Sequence, residues 1–414
     1  MAQPRRVLVV DSGHFMHVAI RLAEAFEHVD LFVPWVGNGM PSEKQRQIGT
    51  GIDEVRRVME LWSAAREADL VVFTDVYHYD EAEELRRQGK PVWGAGYAGA
   101  FETERLMLKH WMAQHGLPVV PYEVCEGGEE LKQYLADKED LWVKASVTRG
   151  DWETTHWENG HLSLPVVEKG LSDMGPRATT KKFIVEQSVP GCEFGWDGYS
   201  VDGRPGPVAA YGPEAKDRGY VGRVCHFGDL PGALRVPTET LVAGVGELGC
   251  RSFLSTEVRI TPDGVGYLID PCLRAGSPPS EAYMELFSNW AEVIWRGAQG
   301  EMVELEPRYQ YAAQIVLKSG WVVDNYLPVS IPDELRRLVT LRAYCQLDGK
   351  PTVVPLGFEQ FGSALGFGYT LEEAKAQARE VAKSVKAAEL DWDENVFNEL
   401  DDVLAEGDKV GIPF

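Results

Sequence analysis

Short apolar runs in the first hundred residues constrain this chain most. Val7–Val10 leads straight into Asp11-Ser12-Gly13, and Leu31–Val33, Leu70–Phe73 and Pro91–Trp93 follow at intervals. Between them, Phe15–Phe26 and Ile52–Ala65 carry apolar residues at helical spacing. Brief, continuously apolar strands alternating with amphipathic helices form a parallel sheet covered on both faces. Residues 1–100 therefore read as a small doubly wound, Rossmann-like α/β domain.

Beyond residue 100 the grammar changes. Residues 101–115 read as helix, stopped at His115-Gly116-Leu117-Pro118, where Gly supplies the C-cap and Pro forbids continuation. Then Gly- and Pro-rich turns separate the strand-like pieces Trp142–Lys144, Phe183–Glu186, Phe194–Tyr199, Pro207–Tyr211, Leu254–Thr261 and Val265–Ile269. That pattern predicts antiparallel sheets in an α+β region over 101–305, with a smaller subdomain at about 119–190. Residues 306–414 form a small C-terminal α+β domain. Its one strong helix, Leu371–Ala388, opens on a capping box of Thr370 and Glu373.

Composition removes several function classes. With 41 Lys and Arg against 64 Asp and Glu, the formal charge is −23, which opposes nucleic-acid backbones and anionic membrane surfaces alike. The six cysteines are scattered without a C-x-x-C pair, so neither a zinc site nor a disulfide framework is expected. No apolar run approaches the roughly 18 residues of a membrane span. The expectation is a reduced, cytoplasmic protein, with a homodimer as the default assembly.

Chemistry concentrates around Ser255–Ser280. Thr261-Pro262-Asp263-Gly264 is a turn signal between two alternating strands. A hairpin centred on Asp263 and Gly264 places Glu257 opposite Asp270, with Arg259, Cys272 and Arg274 on the same face. Two facing carboxylates repel unless a cation lies between them, and hard oxygen ligands of this kind suit Mg²⁺. The plain alternative is an exposed hairpin face of mixed charge. Lys144 ends the apolar strand Leu141-Trp142-Val143 beside the polar loop 145–155, which contains Arg149. A Lys so placed is either a mobile point charge for phosphates or a snorkelling surface cation. Two G-x-G-x-x-G matches, Gly94–Gly99 and Gly244–Gly249, lack the dinucleotide context: the first follows several strands, and the second follows a helix-like segment.

Taken in order, these pieces resemble the ATP-grasp enzymes, most closely the glycinamide ribonucleotide synthetase (phosphoribosylamine–glycine ligase) type. The resemblance spans nearly the whole chain. It includes Asp11-Ser12-Gly13 with His17, Trp93-Gly94 through His115-Gly116-Leu117-Pro118, and Leu141–Lys144. It continues through Val185–Val189 with Glu193, Asp270–Gly276, and Gly362–Gly366 leading into Thr370–Ala374. The resemblance implies a carboxylate–amine ligase that uses ATP and Mg²⁺, with Mn²⁺ as a substitute, and acts on small-molecule carboxylate and amine substrates. Arg105, Lys144 and Arg149 then meet the ATP phosphates, and Glu186, Gln187, Val189 and Glu193 the nucleoside. Glu257 and Asp270 hold the metal, while Arg274 and Lys144 are catalytic. Ser12, Gly13, Lys216, Arg223, Arg259 and Arg274 face the substrates.

The chain also departs from that pattern. Arg105 stands where the family has a phosphate-binding Lys, and Cys272 where it has a metal-binding Asn. His14-Phe15-Met16-His17 replaces Gly-Arg-Glu-His. Two competing readings follow: a nucleotide-binding protein that has lost chemistry, and an NAD-dependent dehydrogenase built on Gly94–Gly99.

Overall fold

The computed structural model describes residues 5–34, 45–145 and 154–414. Its N-terminal sheet is parallel throughout, in the order Arg56–Val58, His28–Phe32, Arg6–Val10, Leu70–Phe73, Val92–Trp93. The chain builds outward from Arg6–Val10, first to one side and then to the other. A crevice opens at such a reversal, beyond the carboxyl ends of the central strands. The Asp11 carboxylate organises the loop there, accepting hydrogen bonds from the backbone N–H of Gly13 (2.8 Å) and Phe15 (3.1 Å) and from Thr74 Oγ1 (2.7 Å). Gly13 adopts φ +97°, a region glycine enters without steric cost.

One expectation needs correction. The helix read over Ile52–Ala65 is confined to Leu61–Glu67, and Arg56–Val58 is instead an edge strand. Arg56 pairs in register with Asp30, and their side chains form a two-pronged ion pair at 2.7 and 2.8 Å. This cross-strand charge pair favours the extended form that helical periodicity could not reveal.

The connecting helix is broken at Glu104 into Ala100–Thr103 and Arg105–Gln114, and Gly116 ends it at φ +74°. A four-stranded antiparallel sheet follows, in the order Tyr122–Glu126, Lys182–Gln187, Leu141–Ala145, Thr154–Trp157. Its helices, Gly128–Leu135 and Gly160–Met174, enclose a separate core around Leu131, Val143, Trp157 and Phe183. We call this small sheet, with its helices, the lid.

The main sheet has eleven strands. Its principal path runs Gly266–Cys272, Arg251–Ile260, Cys192–Val201, Val208–Gly212, Gly219–His226, Tyr311–Ser319, Gln360–Gly368, Val339–Leu341. Because Gly219–His226 is hydrogen-bonded to Tyr311–Ser319, the segment after residue 305 extends the same sheet. Helix Leu371–Ser384 carries the full capping box, with Thr370 and Glu373 bonding reciprocally. It lies so close to the sheet that a Cβ on Gly366 would stand 2.0 Å from the Ala374 carbonyl oxygen. Among the described residues no helix is long and apolar enough to cross a membrane.

Candidate active site

Three antiparallel strands, Cys192–Val201, Arg251–Ile260 and Gly266–Cys272, lay out the site as rows across one face. Glu193 stands opposite Arg259; Gly195, Glu257 and Asp270 form a second row; Asp197, Ser255 and Cys272 form a third. Paired residues share a face, and rows two residues apart are about 7 Å apart along the strands.

The Glu257–Asp270 pairing agrees with the sequence reading, but by a different route. Ile260 faces Gly266 and Val258 faces Leu268, so the turn is centred on Asp263 rather than between Asp263 and Gly264. A bulge between Glu257 and Val258 then takes up one residue, Ile269, and restores Glu257 opposite Asp270. The Ile269 carbonyl accepts a hydrogen bond from Lys144 Nζ at 3.0 Å, tying the lid to the main sheet.

Lys144 does not stand alone. Its Nζ lies 3.2 Å from Glu186 Oε2, and Lys109 Nζ lies 2.6 Å from Glu186 Oε1. All three residues are buried. Burial alone would push the Glu186 carboxyl up, but the two ammonium groups outweigh it and hold it below its ordinary value. Burial also lowers the Lys109 ammonium, against the pull of Glu186. Arg105, one helical turn before Lys109, reaches Asp270 with Nη2 at 3.5 Å from Oδ2. Lys109 escaped the sequence reading, although its i, i+4 spacing from Arg105 places both on one helix face.

Arg274 is fixed at the rim. Its Nε donates to Glu102 Oε1 at 2.9 Å and its Nη1 to the Ala275 carbonyl at 2.8 Å. Its guanidinium carbon lies 5.5 Å from the Phe15 ring centroid. Glu102 Oε2 also accepts from Leu273 N at 2.7 Å, so one carboxylate holds both the side chain and its strand end. Glu193, Glu214, Lys216, Glu257, Asp270 and Arg274 are among the groups lining a cleft of about 190 Å³ between lid and main sheet.

Other expected residues fall differently. Glu186 is expected to meet the nucleoside through backbone groups, and its side chain is committed to Lys109 and Lys144. Val189 offers its carbonyl to Arg259 Nε at 3.1 Å, and Arg259 Nη1 stands 3.5 Å from Glu193 Oε2. Gln187 is exposed at the end of its lid strand. Ser12 and Gly13 lie in the Asp11 loop beside Phe15, outside the cleft lining, and the Gly13 carbonyl accepts from Ala343 N at 2.6 Å. Arg149 lies outside the described residues. Arg223 requires correction: it pairs with Tyr211, which pairs with Trp196, on the sheet face opposite Gly195 and Glu257. The glycines around it resembled a loop, but they lie in or beside regular strands whose alternation turns Arg223 away.

Among the described residues no three His, Cys, Asp or Glu side chains form a ready-made metal cage. Glu257 and Asp270 are a pair. Burial, then the nearby Glu193, Asp270 and Glu214, push the Glu257 carboxyl well above its ordinary value. Gathered like charges of this kind fit a Mg²⁺ ion, which takes one or two carboxylates and completes its shell with phosphate and water.

A lid and a main sheet closing on a cleft, with a lysine from one and paired carboxylates from the other, make the ATP-grasp fold. No protein-family model matches the chain, and no curated protein matches it. Among solved structures, phosphoribosylamine–glycine ligase from Thermotoga maritima is 19% identical, with TM-score 0.69, over 93% of this chain and 98% of that one. The biotin carboxylase domain of Hydrogenobacter thermophilus 2-oxoglutarate carboxylase, in complex with MgADP and bicarbonate, is 12% identical, with TM-score 0.68, over 99% of both chains. L-amino acid ligase from Bacillus licheniformis is 14% identical, with TM-score 0.59, over 95% of this chain and 100% of that one.

Proposed function

We propose that this protein is an ATP-dependent ligase that joins a carboxylate to an amine through an acyl phosphate, releasing ADP and phosphate. The observation that carries this reading is the hydrogen bond from Lys144 to the Ile269 carbonyl, which holds the lysine beside the strand pair that carries Glu257 and Asp270. Phosphoryl transfer is mainly a matter of positioning and charge. Lys144, Lys109 and Arg105 supply positive charge for the triphosphate. Glu257 and Asp270 hold Mg²⁺, which would offset charge on the phosphates. Arg274, already oriented by Glu102, grips the substrate carboxylate, and Lys216 covers it from the rim.

The carboxylate oxygen attacks the γ-phosphorus and ADP departs. The amine then attacks the acyl carbon, the C–O bond breaks, and phosphate leaves. The MgADP complex of one structural neighbour and the ligase activity named for two others support the use of ATP and the class of reaction. The particular substrates of phosphoribosylamine–glycine ligase do not carry over. Here the buried, apolar Phe15 and Met16 stand where that family carries a charged pair. The binding-only reading rests on Cys272 and on the loop 146–155, with one Gly where the family is glycine-rich, of which residues 146–153 lie outside the described residues. Since Cys272 pairs with Ser255 rather than Glu257, the carboxylate pair stands without it, which favours the ligase.

The test is ADP and phosphate release from Mg-ATP across a panel of carboxylates and amines, with wild type and Lys144→Ala compared. Stimulated turnover by wild type, reduced about 10²–10³-fold in the variant, is expected from removing one preorganised charge. Undiminished turnover in Lys144→Ala rejects the assignment.

A further inference from the structure

The cleft carries more negative charge than nucleotide and metal chemistry consumes. Glu102 is held by Arg274, Glu193 by Arg259 and Asp270 by Arg105, and Glu257 with Asp270 serves the metal. Asp197 and Glu214 remain, and among the described residues neither has an ion pair with a described cation. Asp197 is buried, with Oδ2 accepting from the Tyr220 hydroxyl at 2.7 Å. Beside it in the third row is Ser255, 6% exposed, on the cleft face, whose Oγ lies near the Asp197 carboxylate and makes no hydrogen bond of full geometry. A Cβ at Gly276 would come within 3.1 Å of that oxygen, so glycine there leaves the hydroxyl open.

We infer that Asp197, Ser255 and Glu214 form a subsite for a primary ammonium group of a substrate, one row inward from the metal pair. An ammonium presents three donors, and these residues present three acceptors, two of them anionic. The inference rests on the ligase reading and specifies one of its substrates. Charge agrees with the geometry. Burial pushes the Asp197 carboxyl up to about 6, although the Tyr220 and Ser255 hydroxyls pull it down. Burial, then Glu193 and Asp197, push Glu214 well above its ordinary value. A bound cation relieves both. A second divalent ion is the competing occupant. It fits less well, because the Tyr220 hydroxyl already occupies one Asp197 oxygen.

The ammonium belongs either to the acceptor amine, which passes a proton to Asp197 or Glu214 before its lone pair attacks, or to an amino acid whose carboxylate is activated. Hydroxylamine, a neutral nucleophile, separates these sources by trapping the acyl phosphate as a hydroxamate without the acceptor. Wild type, Asp197→Asn, Glu214→Gln and Ser255→Ala are assayed with the best carboxylate and amine from the panel. A 10- to 100-fold rise in the amine KM, with hydroxamate formation within about twofold of wild type, assigns the subsite to the acceptor. The same rise in the carboxylate KM of the hydroxamate assay assigns it to the activated amino acid. Unchanged KM for both substrates overturns the inference, as does a shift confined to the Mg²⁺ requirement. Ser255→Ala keeps the question open to refutation if the buried Asp197 variant fails to fold, with an expected 3- to 10-fold rise. Failure of the ligase reading looks different: wild type then forms no hydroxamate with any carboxylate.

Discussion

His17 illustrates how a single buried side chain sets a property of the whole chain. Its ring lies on helix Met16–Ala23 with Nε2 3.1 Å from Ser280 Oγ. Burial, reinforced by Arg342 and Arg21 and opposed by Glu281, lowers the imidazole to about 4. The unfolded chain takes up a proton below about pH 6.5, and the folded protein refuses it until about pH 4. Stability therefore falls on acidification across that window, by about 3 kcal/mol for a shift of this size. Urea midpoints measured from pH 7 to 4.5 should show His17→Asn losing less stability on acidification by that amount. An equal acid slope in both proteins would mean that His17 titrates as if exposed. Glu186 acts in the same sense at lower pH. Its depressed carboxyl contributes stability above the ordinary carboxylate range, and that contribution is lost as pH falls below it.

At the scale of elements, the sequence was most legible where one local rule governed. Continuous apolar runs marked the parallel strands, and alternation marked Arg251–Ile260 and Gly266–Cys272. The Thr370 and Glu373 spacing marked the start of helix Leu371–Ser384, although the helix ends four residues short of the expected Ala388. Thr370→Ala removes the side-chain acceptor for Glu373 N. It should lower stability by about 1 kcal/mol, read as a urea midpoint, without altering ligase turnover. Where a rule depended on context, the reading slipped. Nothing in the residue type of Ile269 announces a bulge, yet that bulge presents the carbonyl Lys144 uses. The glycines near Arg223 concealed regular strands whose alternation places it on the far face. Asp197 shares the parity of Glu193 and was within reach of the same alternation argument. Glu214 was not, because the cleft forms only when the main sheet is assembled.

Across the whole molecule, the contacts that make the site join segments far apart in the chain. Lys144 bonds to Ile269, Arg105 to Asp270, and Arg274 to Glu102. No local pattern encodes such convergence; it appeared in the sequence only through resemblance to a known arrangement. The lid encloses its own core, separate from the core beneath the main sheet, so it is built to move as a body. Its polar ties run through Lys144 and the Val189 carbonyl to the main sheet and through Glu186 to Lys109 on the connecting helix. Two of these involve cations that the ligase reading gives to phosphates, so on that reading the expected effect of nucleotide is to draw the lid and main sheet together around it. Addition of a non-hydrolysable ATP analogue with Mg²⁺ should slow amide exchange in Leu141–Ala145 and Lys182–Gln187 and reduce the radius of gyration. Saturation at a hundred times Kd should also raise stability by about 2.7 kcal/mol. In a Glu257→Gln, Asp270→Asn double variant the analogue should give the same weak protection with Mg²⁺ as with EDTA. If wild type shows no difference between Mg²⁺ and EDTA, the carboxylate pair does not hold the ion that carries the triphosphate, and lid closure has another cause.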